Sequence, residues 1–274
     1  MKAKKSTIIV YFFAILWIIV TLFPLLITFL SSVKDNAGIT LGMLSWPEEW
    51  LWSNYVRAFT GAYMGRAVLN SIFVSFATTI VVIVIGMMAA YVLARKKFKL
   101  RGLVYSLFIL GVMVPVHVAV IPIAGLASRF DGRNSYWFLI LVYTAFNLSQ
   151  AIFLFTGYLL GVDRELDEAA IIDGCNNAQL LWRILFPLSK PIISTVSILT
   201  FIFAYGELVF AMILLSDSTM FTTARAMLAF QGGFQEQLGP IFASIIIAVV
   251  PMIAIYSIFH ERIQSGMLAG AVKG

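Results

Sequence analysis

The sequence predicts an all-α membrane protein, a polytopic bundle of six transmembrane helices with a helix-turn-helix on its cytoplasmic side. Three observations lead there. Hydrophobic residues fill 61% of the 274 positions, charged residues only 12%, and mean hydropathy is +0.96, whereas a soluble domain carries about 25% charge. Six apolar stretches approach or exceed the roughly 20 residues that cross a bilayer. Lysine and arginine concentrate on alternate inter-span loops, as in membrane proteins with a fixed orientation.

The six stretches lie near 7–30, 68–94, 103–127, 136–160, 192–215 and 238–260, within a single transmembrane domain covering 1–274. The first follows a basic start, Met1, Lys2, Ala3, Lys4 and Lys5. Its apolar run exceeds the core of about 7–15 residues in a cleavable signal, and no A-x-A site follows, so it reads as a retained anchor. The third contains Pro115 and Pro122. Prolines are tolerated in membrane helices where neighbours or water satisfy the freed carbonyls, so a kinked span is expected there.

Orientation follows from the basic residues. Lys2, Lys4, Lys5, Arg95, Lys96, Lys97, Lys99, Arg101, Arg164, Arg183, Lys190, Arg262 and Lys273 fall on one side. Lys34, Arg57, Arg66, Arg129, Arg133 and Arg225 fall on the other. The richer side is cytoplasmic, which places both termini inside. The net charge of +6 is then a topology signal, and the partner it implies is the lipid bilayer rather than nucleic acid. The first outer loop, about 31–67, carries Trp46, Trp50, Trp52 and Tyr55, which suit headgroup anchoring or a lid over a path.

The loop at 161–191 is too long for a simple turn. Asp163 is placed to cap a helix, with Glu165 and Asp167 where the dipole favours anions. Leu166, Ala169, Ala170 and Ile172 form a small-residue apolar stripe at helical spacing. Asp173 and Gly174 break that run. Asn176 with Gln179 three residues on matches a capping box, opening a second helix that Pro187 and Pro191 are expected to stop. Five acids, Asp163, Glu165, Asp167, Glu168 and Asp173, face three bases in this loop. A membrane-surface helix is usually basic, so an acidic amphipathic one fits a protein groove better, with a solvated loop helix as the bland alternative.

These residues carry a family resemblance. Glu168, Ala169, Ala170, Ile171, Ile172, Asp173 and Gly174, continuing through Phe186, Pro187, Leu188 and Pro191, resemble the EAA loop of ABC importer permeases. The likeness extends over nearly the whole chain, to the sugar-importer branch that includes the second permease of the maltose system. Leu69, Asn70 and Ser71, the run from Ala89 to Arg95, and the C-terminal stretch from Gly266 to Gly274 are similar to that branch. Cys175 stands where the loop usually has alanine, and Tyr205 and Gly206 precede Glu207 where members carry Trp and Asn. The resemblance implies that Glu168, Ala169, Ala170, Asp173, Gly174 and Pro187 couple the chain to a cytoplasmic ATPase. It also implies a second permease subunit, two ATPase subunits that bind the ATP, an extracytoplasmic substrate-binding protein, and an oligosaccharide or polyol as cargo.

The chain has no G-x-x-x-x-G-K-[ST] phosphate loop, so no nucleotide cofactor is expected in it. Its two histidines, His117 and His260, and its one cysteine, Cys175, match no metal spacing, disulfide or catalytic triad. Polar residues inside a span are costly and usually face the bundle interior. Asn70, Asn147, Gln150 and Glu207 are accordingly the candidates to line a substrate path, against a structural role in interhelical hydrogen bonding. The competing function is an ion-gradient-driven secondary transporter or channel, for which repeated halves with midplane acids are the signature; Glu207 is the one acid well inside an expected span.

Overall fold

The computed structural model describes residues 2–230 and 237–271, and every regular element among them is helical. The long helix α1, Lys2–Ser32, leads to α2, Asn36–Leu41, and α3, Ser53–Gly61. Then come α4, Met64–Arg95; α5, Arg101–Met113; and a 3₁₀ turn, Val116–Ala119, that runs into α6, Val120–Arg129. Helix α7 is Tyr136–Leu160 and α8 is Glu165–Ile172. A three-part helix follows: α9, Asn177–Gln179, a π-helical stretch, Leu180–Leu185, and α10, Phe186–Leu188. The chain continues through α11, Lys190–Gly206, α12, Val209–Leu214, α13, Thr223–Ala226, and α14, Leu238–Ala271. The end of the C-terminal signature, Val272, Lys273 and Gly274, lies outside the described residues.

Among the described residues, four helices are long and apolar enough to cross a membrane: Val10–Ser32, Met64–Arg95, Tyr136–Leu160 and Leu238–Ser257. Two bent pairs raise that to as many as six if each is one span. One pair, Arg101–Met113 with Val116–Arg129, bends by 93°, far more than the kink expected over 103–127. Pro115 accounts for the break. A residue before proline is driven out of the α region, and Val114 is extended, with φ −72° and ψ 120°. Pro122, by contrast, sits in the first turn of α6, where backbone N–H groups have no helical partner to lose, and interrupts nothing.

The other pair, Asn177–Leu188 with Lys190–Gly206, bends by 80° where the loop meets α11, and the stretch expected over 192–215 divides again further on. Helix α11 ends at Gly206, Glu207 is extended, and α12 resumes at Val209. In the preceding loop, α8 has Arg164 rather than Asp163 at its N-cap, with no side-chain cap bond; the helix begins one residue later than expected. Pro187 does not stop the second helix. It lies inside α10, and the turn ends at Ser189, whose hydroxyl donates to the Leu185 carbonyl at 2.7 Å. The capping box forms as expected: Gln179 N–H donates to Asn176 Oδ1 at 2.9 Å and Asn176 N–H to Gln179 Oε1 at 2.8 Å.

The described chain resolves into two compact units, 1–66 with 226–251, and 67–225 with 252–274. In the first, Asn54 ties the loop to the end of α1, donating to the carbonyls of Ser32 and Lys34 at 3.0 and 2.9 Å. The four aromatics of this loop are not independent anchors. Trp46, Trp50, Trp52 and Tyr55 form a continuous ladder with centroid spacings of 6.4, 6.0 and 5.9 Å.

The second unit is built around α7. Half of its apolar window is buried, against 6% for α1, and Leu139, Tyr143, Ile152, Phe155 and Leu159 are fully enclosed. Lipid is as apolar as leucine, so helices in a bilayer associate through close packing of small residues. Helix α4 provides it with Ala90 and Ala94, and Ala151 of α7 shares the same core. At Gly86 a Cβ would come within 3.3 Å of both Ala151 and the Phe155 ring, so α4 and α7 pack tightly there and a side chain would make its neighbours shift.

Candidate functional site

The loop after α7 is a layered structure with one face seated and one face open. Its seated face completes the core of the second unit: Ala170, Leu180, Leu181 and Leu185 pack with Ala90, Tyr91 and Ala94 of α4 and with Phe155 and Leu159 of α7. The expected apolar stripe therefore divides by depth. Ala170 is buried, whereas Leu166, Ala169 and Ile172 are exposed, Ile172 to 85%. Ile171 is exposed as well, beside the exposed carboxylates of Glu168 and Asp173. Gly174, also exposed, turns the chain at φ +82° with nothing near a would-be Cβ. The glycine is needed for its backbone conformation, not for space.

Polar bonds hold this layer at three places. Arg95, the last residue of α4, pairs its Nε with Asp167 Oδ2 at 2.6 Å, with both side chains largely buried. Its Nη1 and Nη2 donate to the carbonyls of Leu159 and Val162 at 2.8 and 3.1 Å. Asn177 Oδ1 accepts from Tyr91 Oη at 3.1 Å and Lys96 Nζ at 2.8 Å. Tyr158 donates its hydroxyl to the Leu188 carbonyl at 2.8 Å. Sequence reasoning missed all three, although Arg95 at the end of an apolar run and Asp167 buried on an acidic helix were visible as residue types.

Residues 82–268 match the family described as "Binding-protein-dependent transport system inner membrane component". The chain belongs to this family. It is an ABC-importer permease subunit, a transport component rather than a catalytic one. Similar permeases include the diacetylchitobiose uptake system permease protein NgcG of Streptomyces coelicolor, 30% identical, with 94% of this chain and 86% of that one aligned. The multiple sugar-binding transport system permease protein MsmG of Streptococcus mutans is 33% identical, with 93% of each chain aligned. The trehalose transport system permease protein SugB of Mycobacterium tuberculosis is 32% identical over 92% of this chain and 93% of its own. The fold is also that of a chain in the crystal structure of a bacterial ABC transporter for alginate import, with a TM-score of 0.79 at 19% identity, covering 95% of this permease and 97% of that chain.

The polar residues of the permease's spans do not form one group. Glu207, 7% exposed, sits where α11 breaks. Its carboxylate accepts the Tyr143 hydroxyl at 2.8 Å, the Phe210 N–H at 3.0 and 3.1 Å, and the Ala211 N–H at 3.2 Å. It thus caps α12, satisfying donors that a helix start leaves free, and bonds α7 across the core. Asn147 adds to the same chain of contacts by donating to the Tyr143 carbonyl at 2.8 Å. Asn70 is engaged elsewhere, donating to the carbonyls of Thr219 and Phe221 at 3.1 and 2.9 Å. Gln150 is exposed. Among the described residues no hydrogen bond links Asn70 or Gln150 to the Tyr143–Glu207 pair. Tyr143, the partner of Glu207, carried no signal in the sequence beyond being a tyrosine in an apolar run.

Proposed function

We propose that this permease forms half of the translocation path of an ATP-driven, binding-protein-dependent carbohydrate importer. In this reading the chain acts as one transmembrane domain of six spans, α5 with α6 forming the third and α11 with α12 the fifth, in a bacterial cytoplasmic membrane with both termini inside. It pairs with a second permease, two cytoplasmic ATPase subunits that bind ATP, and an extracytoplasmic binding protein. Carbohydrate cargo is supported by the names of the similar permeases, whose stated substrates include diacetylchitobiose and trehalose.

The observation that carries the coupling role is the open face of α8. Leu166, Ile171 and Ile172 stand uncovered around Glu168 and Ala169 on a helix whose other side is seated. An exposed apolar patch of this kind, rimmed by acids, suits a groove of a protein partner. Glu168, Ala169, Ala170, Asp173, Gly174 and Pro187 then make up the coupling segment, with Ala170 seating it and Gly174 shaping its turn. Asn70, Asn147, Gln150 and Glu207 remain the proposed polar lining, with Glu207 and Asn147 acting through helix geometry as much as through contact with sugar.

The test is co-purification with tagged ATPase subunits, followed by uptake of labelled trehalose or diacetylchitobiose into vesicles. ATP-dependent uptake that survives collapse of the ion gradients is expected. Uptake that follows the ion gradient and ignores ATP would replace this reading with the secondary-transporter one. Gly174→Asp should leave the permease inserted while abolishing uptake; normal uptake and ATPase recruitment in that variant would remove Gly174 from the coupling segment.

A further inference from the structure

We propose that Arg95 is a positioning residue that locks α8 to the ends of α4 and α7, so that a displacement of α8 moves all three together. The inference rests on the reading that α8 docks on an ATPase. Three elements meet at one guanidinium. Arg95 belongs to α4, its Nε pairs with Asp167 of α8 at 2.6 Å, and its two terminal nitrogens donate to the Leu159 carbonyl in the last turn of α7 at 2.8 Å and to the Val162 carbonyl just beyond it at 3.1 Å. The C-terminus of a helix carries partial negative charge and free carbonyls, so a cation there is favoured independently of Asp167. The planar fork of arginine suits this triple engagement, and lysine has no equivalent geometry.

Asp167 depends on the pair. Its side chain is 13% exposed, and neither its Oδ1 nor Arg95 Nε makes a hydrogen bond among the described residues, so the contact is an ion pair, and without Arg95 the carboxylate becomes a buried charge with no counter-ion. The other attachments hold the later part of the loop. Asn177 is held by Tyr91 and Lys96, and the Leu188 carbonyl by Tyr158. Besides Arg95, the polar link from α4 to the start of the loop is the longer bond from Arg164 to the Ala94 carbonyl, at 3.5 Å. Arg95 is thus the strong tie for the helix on which the partner would push.

The experiment uses the assembled importer in proteoliposomes, in a Cys175→Ala background. Nitroxides are placed at Glu165 in the first turn of α8, outside the Leu166, Ile171 and Ile172 patch, and at Val92 on α4, both exposed, and their separation is measured without nucleotide and with ATP plus vanadate. With Arg95 present the distance should stay constant. In Arg95→Gln it should shift by about 1–2 Å, the scale of helix displacements at interfaces, or broaden, while ATP hydrolysis persists. Asp167→Asn removes the same pair but leaves the α7 carbonyls bound, and should give the same loss of rigidity should Arg95→Gln fail to assemble. A nucleotide-dependent distance in the parent protein, or a constant one in both variants, would overturn the proposal. Cross-linking from a cysteine at Ala169 to the ATPase is scored separately, and its absence in the parent protein would overturn the docking reading instead.

Discussion

At the scale of single residues, Glu207 shows how a costly group is made tolerable. A carboxylate at the centre of a span costs about 2.5–3.5 kcal/mol on insertion scales, and here backbone N–H groups and the Tyr143 hydroxyl solvate both of its oxygens. Glu207→Gln keeps one acceptor oxygen, so vesicle uptake should survive with modest loss and no new pH dependence. Abolished uptake in the presence of active ATPase would point to proton coupling. Glu207→Ala removes the cap as well as the interhelical bond and should lower thermal stability in detergent, by about 1–3 kcal/mol. Gly174 is the other residue whose role is local. At φ +82° with open space around it, Gly174→Ala should cost about 1–2 kcal/mol through backbone strain alone, seen as a lower melting temperature with insertion unchanged.

At the scale of elements, three devices shape the loop from α8 to α10. A capping box, a left-handed glycine turn and a seated apolar face agree with one another. Asn176→Ala breaks the box and should destabilise the second helix by about 1 kcal/mol. Because that helix also buries Leu180, Leu181 and Leu185, it should remain folded, and hydrogen exchange should rise first at Gln179, whose N–H loses its acceptor. Uniform exchange across the loop would mean that the box contributes nothing separable. The two broken stretches have different causes. Pro115 enforces one through the backbone, whereas a carboxylate cap accompanies the other at Glu207.

At the scale of the whole molecule, the bias of basic residues makes a prediction about sides. Reporter tags at Lys97, Asp173 and Lys273 should be cytoplasmic, and tags at Trp50, Asp131 and Asp217 outside. One tag on the wrong side would remove or add a crossing. The pair α5 and α6 is the place to look, because its 93° bend is compatible with a broken span or with a re-entrant loop.

Hydropathy and charge determined the class and the approximate position of each apolar stretch, capping and turn residues the helix-turn-helix, and the residue order from Glu168 to Pro191 the family resemblance, because these are read along one chain. Helix α7 even has the bounds expected of it, 136–160. Tertiary structure decided which groups meet. The pairing of Arg95 with Asp167 joins residues 72 positions apart in the chain, and that of Tyr143 with Glu207 joins residues 64 apart. Whether Ala170 rather than Ile172 turns inward depends on where α4 and α7 stand. The severity of the bend at Pro115 was likewise not legible, since proline removes a hydrogen bond and biases its neighbour but leaves the angle to the surrounding packing. Periodicity along a sequence records what each segment can bury; the partner it is buried against exists only once the segments have come together.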